Sequence, residues 1–363
     1  MLRIDGWREY EKRETNPEIQ KQNVTLKKKK DISLGFDIPY HGLVSIPLEE
    51  GSFGGNRYHS ESLRNVLSIH GRFRIAMQEW SKGQTEELLE QAVGEVKAIG
   101  LFFPDVRAEH VRICMAAWLA VLCTVDDLLE LMSPHEAENA IQVTIAALQG
   151  NKENNDGICD VSTKGDVCFL MSLFQKHCCQ YLSDAAVKDF FREICTVFRG
   201  FLQENQVRQG YLKRDLKNYM EIRTRTIGVA PFFSLIKSDL FPPGYCSDNI
   251  LAMQKVLNVA VGLQNDLVGL EKDIDKKESM NAVLVSMEEP WGKEEAQGTK
   301  LADTIAAVCA FHNSSVAEAV RIHQRILQGA EESEIIVANS QLLLTETHFK
   351  WCTTAKRYRT KLE

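Results

Sequence analysis

Several patterns that define other classes of protein are missing from this sequence. It contains no apolar run of about 18 residues or more, the length that a membrane-spanning helix needs, and its N-terminus lacks the apolar stretch of a secretory signal. Its ten cysteines include no CxxC pair and no Cys/His cluster with the spacing of zinc ligands. We therefore expect a cytoplasmic protein with reduced cysteines and no stable membrane anchor.

Proline is absent from two long parts of the chain: none lies between Pro134 and Pro231, and none follows Pro290. A proline inside a helix costs about 3 kcal/mol, so such gaps suit long helices. Neither the period-two alternation of strands nor an internal repeat is evident. The sequence thus predicts an all-α protein. The predicted helices lie near residues 84–99, 106–130, 135–149, 165–181, 185–204, 208–237, 247–273, 299–327 and 331–357, with polar loops at 151–164 and 272–281.

The net charge of the chain further limits the classes of protein to which it could belong. A net charge of −7 and a pI near 5.8 argue against a dedicated nucleic-acid binder. An acidic protein that handles an anionic ligand needs local cations or metals to do so. Residues 1–60 are the least regular part, and their run Lys27–Lys30 is typical of a solvated face or a flexible arm. We expect one α-domain over residues 61–363.

One apolar helical stretch leads directly into a group of carboxylates. Residues 113–125 are almost wholly apolar, and Asp126, Asp127 and Glu130 follow without a turn signal. Asp126 and Glu130 are one helical turn apart and share a face. Carboxylates stacked at the end of a buried helix repel one another and are costly to desolvate unless a cation neutralises them. This pattern predicts half of a metal site.

A second helix carries a matching set of oxygen ligands. Asn265, Gly269 and Asp273 recur on one face of the stretch 251–273. An amide carbonyl and a carboxylate are the hard ligands that Mg²⁺ prefers, and Gly269 leaves room for a water molecule between them. The neighbouring Lys272 could contact an anion held by the same metal.

The two segments together resemble the metal-binding motifs of class I terpene synthases. Asp126-Asp-Leu-Leu-Glu130 is similar to the DDxx(D/E) motif, and Asn265-Asp-Leu-Val-Gly269-Leu-Glu-Lys-Asp273 is similar to the microbial form of NDxx(S/T)xxxE. The second motif departs from the family pattern at two positions. Gly269 stands where Ser or Thr is usual, and Asp273 stands where Glu is usual.

Three further segments also resemble segments of this family, and they follow in the same order along the chain. Residues 219–228 resemble the diphosphate-sensing segment, which makes Arg223 the sensor, Thr226 the linker and Ile227 the residue whose carbonyl faces the substrate. Arg225 is an alternative sensor, because the spacing to the second motif is short. Residues 277–283 resemble the segment that follows the second metal motif. Near the C-terminus, the pair Arg357-Tyr358 resembles the pair that closes over the diphosphate.

The position of Pro231 supports the role of Ile227 independently. Proline has no N–H to return to the carbonyl four residues earlier, which is that of Ile227. If a helix runs through this point, that carbonyl is left unpaired beside the flexible Gly228, and it could face a developing allylic cation. The alternative is a plain proline kink with water on the carbonyl.

The resemblance implies a class I helical bundle around a central apolar cavity, with three Mg²⁺ ions bound at its rim. The expected function is ionisation of a prenyl diphosphate substrate and cyclisation of the resulting carbocation, in a monomer or a homodimer. A chain-elongating prenyl diphosphate synthase and an inactive helical binding protein are the alternatives. By this resemblance the metal ligands are Asp126, Glu130, Asn265, Gly269 (through water) and Asp273; the diphosphate ligands are Arg223, Lys272, Arg357 and Tyr358; and Asp127 and Asp266 are supporting residues.

Side chains before the first motif bear on substrate length. Family members often carry aromatic residues one turn before the aspartates, where ring faces stabilise cations. Here the positions hold Ala120, Leu122 and Cys123, which suggests a roomier cavity and favours geranylgeranyl diphosphate over farnesyl diphosphate. The alternative is that other side chains supply the bulk. The candidates are Phe102, Phe103, Phe232 and Trp351.

Overall fold

The computed structural model describes residues 57–80, 84–149, 166–242, 245, 247–288 and 297–354. Several predicted features lie outside these residues. They are the irregular segment up to residue 56, the loop 151–164, and the pair Arg357 and Tyr358.

All regular structure in the described part of the chain is helical. The helices are α1 (Arg57–Ala76), α2 (Thr85–Phe102), α3 (Glu109–Leu131), α4 (Pro134–Leu148), α5 (Asp166–Cys178), α6 (Asp184–Arg208), α7 (Leu216–Thr226), α8 (Ala230–Leu240), α9 (Asp248–Lys276), α10 (Ala282–Glu288), α11 (Gln297–Leu327) and α12 (Glu332–Thr354). This confirms the predicted all-α class. None of these helices combines the length and the apolar character that crossing a membrane requires.

The predicted helix 208–237 is wrong, because the chain forms two helices here. Gly210 and Gly228 both adopt positive φ angles, 78° and 69°, which end α6 and separate α7 from α8. Glycine reaches this region of backbone space without steric cost, so the chain turns at these two points. Pro231 then lies in the first turn of α8, where its missing N–H costs nothing.

The predicted loop 272–281 is half helical. Helix α9 continues through Lys276 and ends at Lys277, which adopts a left-handed conformation with φ 57°. The Glu278 N–H then donates to the carbonyl of Asp273 at 2.8 Å, which closes the helix end. Polar composition alone suggested a loop, but residues 272–276 contain no glycine or proline to end a helix. The short helix α10 was not predicted.

Helices α3 and α9 occupy the middle of the bundle. Most of α3 is buried, and it packs against α1, α2, α5 and α8. Helix α9 packs most extensively against α11 and α12 and also contacts α7, α8 and α10. Because both helices are held on several sides by neighbours, their polar C-terminal halves are fixed relative to the same cavity.

Candidate active site

The cavity lies between α3, α6, α7, α9 and α12 and brings both metal motifs together. From α3 it receives Leu119, Leu122, Cys123, Asp126 and Glu130. From α9 it receives Asn265, Asp266, Gly269, Lys272 and Asp273. The α3 residues recur at helical spacing, so they form one face of that helix. Ala120 lies off this face, fully buried in the core, and its predicted place in the cavity is taken by Leu119.

The carboxylates of α3 differ in exposure. Asp126 is half-buried in the cavity wall, whereas Asp127 is exposed and does not line the cavity. Glu130 pairs with Lys276 at 3.1 Å, with 39% of the Glu130 side chain exposed. This ion pair joins the C-terminal ends of α3 and α9 across the rim.

The oxygen ligands of α9 are held by side chains from two other segments. The Asn265 carbonyl oxygen accepts a hydrogen bond from the Arg223 guanidinium at 2.6 Å. The Asp273 carboxylate accepts one from the Asn281 amide at 2.8 Å, and the same amide donates to the Asp266 backbone carbonyl at 2.8 Å. Burial raises the pKa of Asp273, and the Asn281 hydrogen bond opposes that shift.

Gly269 has room for a Cβ atom. A Cβ atom built there would lie 3.5 Å from the nearest Asp273 carboxylate oxygen, an ordinary van der Waals distance. Packing therefore does not require glycine at this position. The space next to Asp273 is consistent with a water molecule or a hydroxyl group between the two outer ligands of the motif.

Arg223 is anchored below the cavity by a buried network. Asp266 is 2% exposed; its carboxylate pairs with Arg223 at 2.9 Å and accepts hydrogen bonds from the Tyr219 hydroxyl at 2.6 Å and the Ala282 N–H at 3.1 Å. Burial alone would lower the pKa of Arg223, but the surrounding acids, Asp266 foremost, raise that pKa above its ordinary value. Arg223 therefore stays charged and faces the cavity.

The alternative sensor Arg225 lies elsewhere. Its guanidinium donates to the Gln203 side-chain carbonyl on α6, and it is not among the cavity-lining residues. Arg223 lines the cavity and packs over Gly262, where an added Cβ would lie 3.1 Å from the Arg223 Cγ atom. The geometry thus places Arg223, and not Arg225, beside the metal motifs.

The link between α7 and α8 also faces the cavity. Thr226 and Ile227 line it, and among the described residues no hydrogen bond is made to the Ile227 carbonyl. The Trp118 indole N–H donates to the Gly228 carbonyl at 2.9 Å, which fixes the link against α3. A Cβ atom at Gly228 would lie 2.5 Å from Leu122, so close packing as well as the positive φ requires glycine.

A cluster at the rim was not singled out from the sequence. The Arg208 guanidinium contacts Glu204 at 3.2 Å and Glu278 at 3.0 Å, and all three residues line the cavity. Burial raises the pKa of Glu204 to about 7, against the opposing charges of Arg208 and Arg223. Glu204 and Arg208 belong to no motif. The only available signal was their spacing of four residues at the end of α6, a common feature of exposed helices.

The deeper wall of the cavity is apolar and aromatic. Phe102 and Trp351 meet edge to face with their ring centroids 5.4 Å apart, and both line the cavity, as does Phe232. Phe103, considered as a source of bulk, lies behind this wall, fully buried against Phe102 and Phe232.

The donor set suits a hard divalent cation, because it consists of carboxylates and one amide carbonyl facing a shared cavity. Within the described residues, no three acidic, histidine or cysteine side chains are already grouped closely enough to hold a metal ion. Two of the candidate ligands are instead engaged by cations: Arg223 contacts Asn265, and Lys276 contacts Glu130. A metal ion bound by these groups would therefore lie next to two positive charges that it must compete with.

Comparisons with known proteins agree with this geometry. A β-caryophyllene synthase from Saccharothrix espanaensis, which cyclises (2E,6E)-farnesyl diphosphate, is 26% identical over 190 residues, covering 51% of this chain and 53% of that protein. The match thus spans about half the length of this curated relative. The fold is similar to that of linalool/nerolidol synthase from Streptomyces clavuligerus, with a TM-score of 0.62 and 16% identity over 80% of this chain and 96% of that chain.

A second solved structure gives the same result. The SVS_A2 protein from ancestral sequence reconstruction superposes with a TM-score of 0.59 and 14% identity, over 82% of this chain and 85% of that chain. Residues 117–318 match the family described as terpene synthase family 2, C-terminal metal binding, and this range includes both motifs and the Arg223 segment. The chain therefore belongs to terpene synthase family 2 and has the class I terpene synthase fold.

Proposed function

We propose that this protein is a Mg²⁺-dependent terpene cyclase that ionises an allylic prenyl diphosphate. Cyclisation of the carbocation would yield a terpene hydrocarbon or alcohol and free diphosphate. One observation carries the proposal: the oxygen ligands of α3 and α9 line a single cavity, with the partly buried cation of Arg223 beside them and an apolar wall below.

The polar rim supports binding of the diphosphate group. Asp126, Glu130, Asn265 and Asp273 would hold Mg²⁺, three ions by the family resemblance, which acts as a Lewis acid on the diphosphate oxygens. Arg223 and Lys272 would donate charge-assisted hydrogen bonds to the same group. To bind the diphosphate, Arg223 needs only to exchange its contact with Asn265, because Asp266, which is itself bonded to Tyr219, keeps it charged and in place.

The lower part of the cavity supports the chemistry of the hydrocarbon chain. Its apolar wall excludes water, which would otherwise quench carbocations to alcohols. The ring faces of Phe102, Phe232 and Trp351 can stabilise positive charge. The Ile227 carbonyl, which accepts no hydrogen bond within the described residues, presents a partial negative charge to the allylic carbon.

Substrate length is the finer part of the proposal. We favour geranylgeranyl diphosphate over farnesyl diphosphate, because the α3 wall before Asp126 presents Leu122 and Cys123 in place of aromatic rings. Two observations weigh against this preference. Phe102, Phe232 and Trp351 add bulk at the far wall, and the similar enzyme from Saccharothrix espanaensis is named for farnesyl diphosphate.

Incubation of the purified protein with each allylic diphosphate and Mg²⁺ tests the proposal. Mass spectrometry of a solvent extract identifies cyclic products, and a phosphate assay measures diphosphate release. A terpene hydrocarbon or alcohol supports cyclisation, a longer prenyl diphosphate supports elongation instead, and no turnover of any chain length supports a binding protein. The relative yields from farnesyl and geranylgeranyl diphosphate decide the substrate.

A further inference from the structure

A chain of buried polar side chains joins α9, α11 and α12 beside the cavity. Gln264, which is fully buried, is the centre of this chain. Its amide nitrogen lies 2.8 Å from the Thr345 backbone carbonyl and 3.1 Å from His312 Nε2, and its carbonyl oxygen lies 2.9 Å from His348 Nδ1. His312 Nδ1 in turn lies 3.0 Å from the side-chain oxygen of Asn313.

The hydrogen bonds of this chain show that both histidines carry a proton on Nδ1. A backbone carbonyl only accepts, so the group of Gln264 that faces Thr345 must be its NH₂. The carbonyl oxygen of Gln264 therefore faces His348, and His348 must carry its proton on Nδ1. By the same reasoning His312 accepts through Nε2 and carries its proton on Nδ1. When the ring is neutral, the Nε2 atom of His348 is therefore an unprotonated nitrogen with a lone pair.

Only one of the two histidines reaches the cavity. His348 lines the cavity wall between Phe102 and Trp351, with ring centroids 5.9 and 6.1 Å away, whereas His312 is not a lining residue. Because Nδ1 is directed at Gln264, which is also outside the lining, Nε2 is the nitrogen available to a cavity ligand. The Cys352 sulfur is nearly equidistant from the two ring nitrogens, at 3.5 and 3.7 Å. It therefore lies beside the ring rather than along the Nε2 lone pair.

The surroundings keep this imidazole neutral. Burial, together with the positive charge of Arg223, lowers the pKa of His348 to about 3. At neutral pH the ring is thus a base without charge in an apolar wall. Such a base is weak towards ordinary acids, but it is strong enough for a carbocation, whose adjacent C–H groups are far more acidic than an imidazolium.

We propose that His348 is the base that ends the reaction by taking a proton from the final carbocation. This inference rests on the proposed function. A C–H bond next to the cationic carbon breaks, its electron pair becomes the π bond of the product alkene, and the proton passes to Nε2. The resulting imidazolium then gives the proton to an oxygen of the released diphosphate, which restores the neutral ring. Gln264 is a positioning residue that fixes the tautomer.

The test compares His348→Asn with His312→Asn, a matched pair of buried histidines bonded to the same glutamine. In His348→Asn the amide NH₂ stands near the place of Nδ1 and can still donate to Gln264, but no basic nitrogen remains at the cavity. His312→Asn disturbs the same polar chain and leaves the base intact. Each variant is assayed with Mg²⁺ and the allylic diphosphate that the wild type consumes. Diphosphate release and the product distribution are measured separately.

We expect His348→Asn to release diphosphate while formation of the main alkene falls by about 10²-fold, the usual contribution of a positioned base. Alcohols and isomeric alkenes should take its place. His312→Asn should keep the wild-type product distribution, whatever its rate. An unchanged distribution in His348→Asn, or the same altered distribution in both variants, overturns the inference.

Two further measurements keep the result interpretable. If His348→Asn shows no cooperative thermal transition, it is not folded and His348→Gln is used in its place. A wild-type product distribution in His348→Gln also overturns the inference. A wild-type protein that releases no diphosphate from any prenyl diphosphate overturns the proposed function and the inference with it. If the wild type releases diphosphate and the His348 variants keep its product distribution, the inference is overturned and the proposed function stands.

Discussion

The two walls of the cavity that carry the candidate metal ligands are built differently. On the α9 wall, Asp266 is 2% exposed and tied to Arg223, Tyr219 and the backbone of α10, and Asp273 is tied to Asn281. On the α3 wall, Asp126 is half-buried, and Glu130 is 39% exposed and pairs with a lysine at the rim. The α9 wall is therefore a hydrogen-bonded network that joins several segments, whereas the α3 wall is a row of side chains on one helix face.

This difference separates stability from function. A buried hydrogen-bonded charge contributes to folding through its partners, so its removal leaves those partners uncompensated. An exposed carboxylate contributes little to folding, because water solvates it in the unfolded chain and in the folded chain alike. We expect substitutions on the α3 wall to affect catalysis alone and substitutions on the α9 wall to affect both.

Asp126→Ala should have the largest effect on activity and almost none on stability. Loss of the ligand should abolish product formation, while the free energy of unfolding changes by no more than about 1 kcal/mol, because the Asp126 side chain is only half-buried. Asp127→Ala is the matched control, since Asp127 is exposed and outside the cavity lining, and it should lose less activity. Product assays and urea denaturation measure the two quantities. Retained activity in Asp126→Ala would contradict the metal assignment.

Asp266→Ala should give the largest loss of stability. It removes the carboxylate that both the guanidinium of Arg223 and the hydroxyl of Tyr219 contact, and breaking a buried ion pair in this way costs about 3–5 kcal/mol. Activity should fall as well, because Arg223 loses its anchor. Chemical denaturation of the variant beside Asp126→Ala measures the contrast. Equal stability of the two variants would show that the α9 network contributes nothing special to folding.

Glu204 should make stability depend on pH. Its pKa rises from an ordinary carboxyl value to about 7 in the folded protein, so the folded state binds more protons than the unfolded state between these values. Its contribution to stability is therefore full in acid and declines as the pH rises from about 4.5 to about 7. Glu204→Gln should flatten this part of the profile. Thermal melts of both proteins from pH 4.5 to 8 measure the effect, and parallel profiles would contradict the assignment.

Gly269→Ser should have the smallest effect. The space beside Asp273 admits a Cβ atom, and serine is a better helix former than glycine, so stability should rise by about 0.5 kcal/mol. The added hydroxyl should lower the Mg²⁺ concentration needed for half-maximal activity. Gly262→Ser, two turns earlier on α9, is the control, because a Cβ atom there presses on Arg223 and should reduce activity. Loss of activity through misfolding in Gly269→Ser would show that the glycine is required for packing.

Much of the fold was predictable, because helical periodicity and the absence of proline are local properties. Errors arose where a local signal had two meanings. A proline fits a break inside a long helix as well as the start of a new helix, and Pro231 lies in the first turn of α8, because Gly228 has already ended the previous helix. The polar stretch after Lys272 predicts a loop, although polar residues also form exposed helix ends such as the one found here.

In the candidate site, too, some residues could be predicted from local sequence patterns and others could not. The candidate ligands on α3 and α9 follow from the sequence, because residues on one helix face are given by their spacing alone. Glu204, Arg208 and His348 were not, because they lie on helices α6 and α12 and belong to no motif. Their places in the cavity follow from how α6 and α12 pack around α9.

The sequence by itself determined the helical class, the two oxygen-rich motifs and the resemblance to the family, since each depends on the order and spacing of neighbouring residues. Only the tertiary structure decided that Arg223 and not Arg225 faces the cavity, that Ala120 lies in the core, and that Gln264 holds His348 at the wall. The physical reason is that charge pairing, desolvation and tautomer choice depend on which atoms surround a group, and those atoms come from distant parts of the chain.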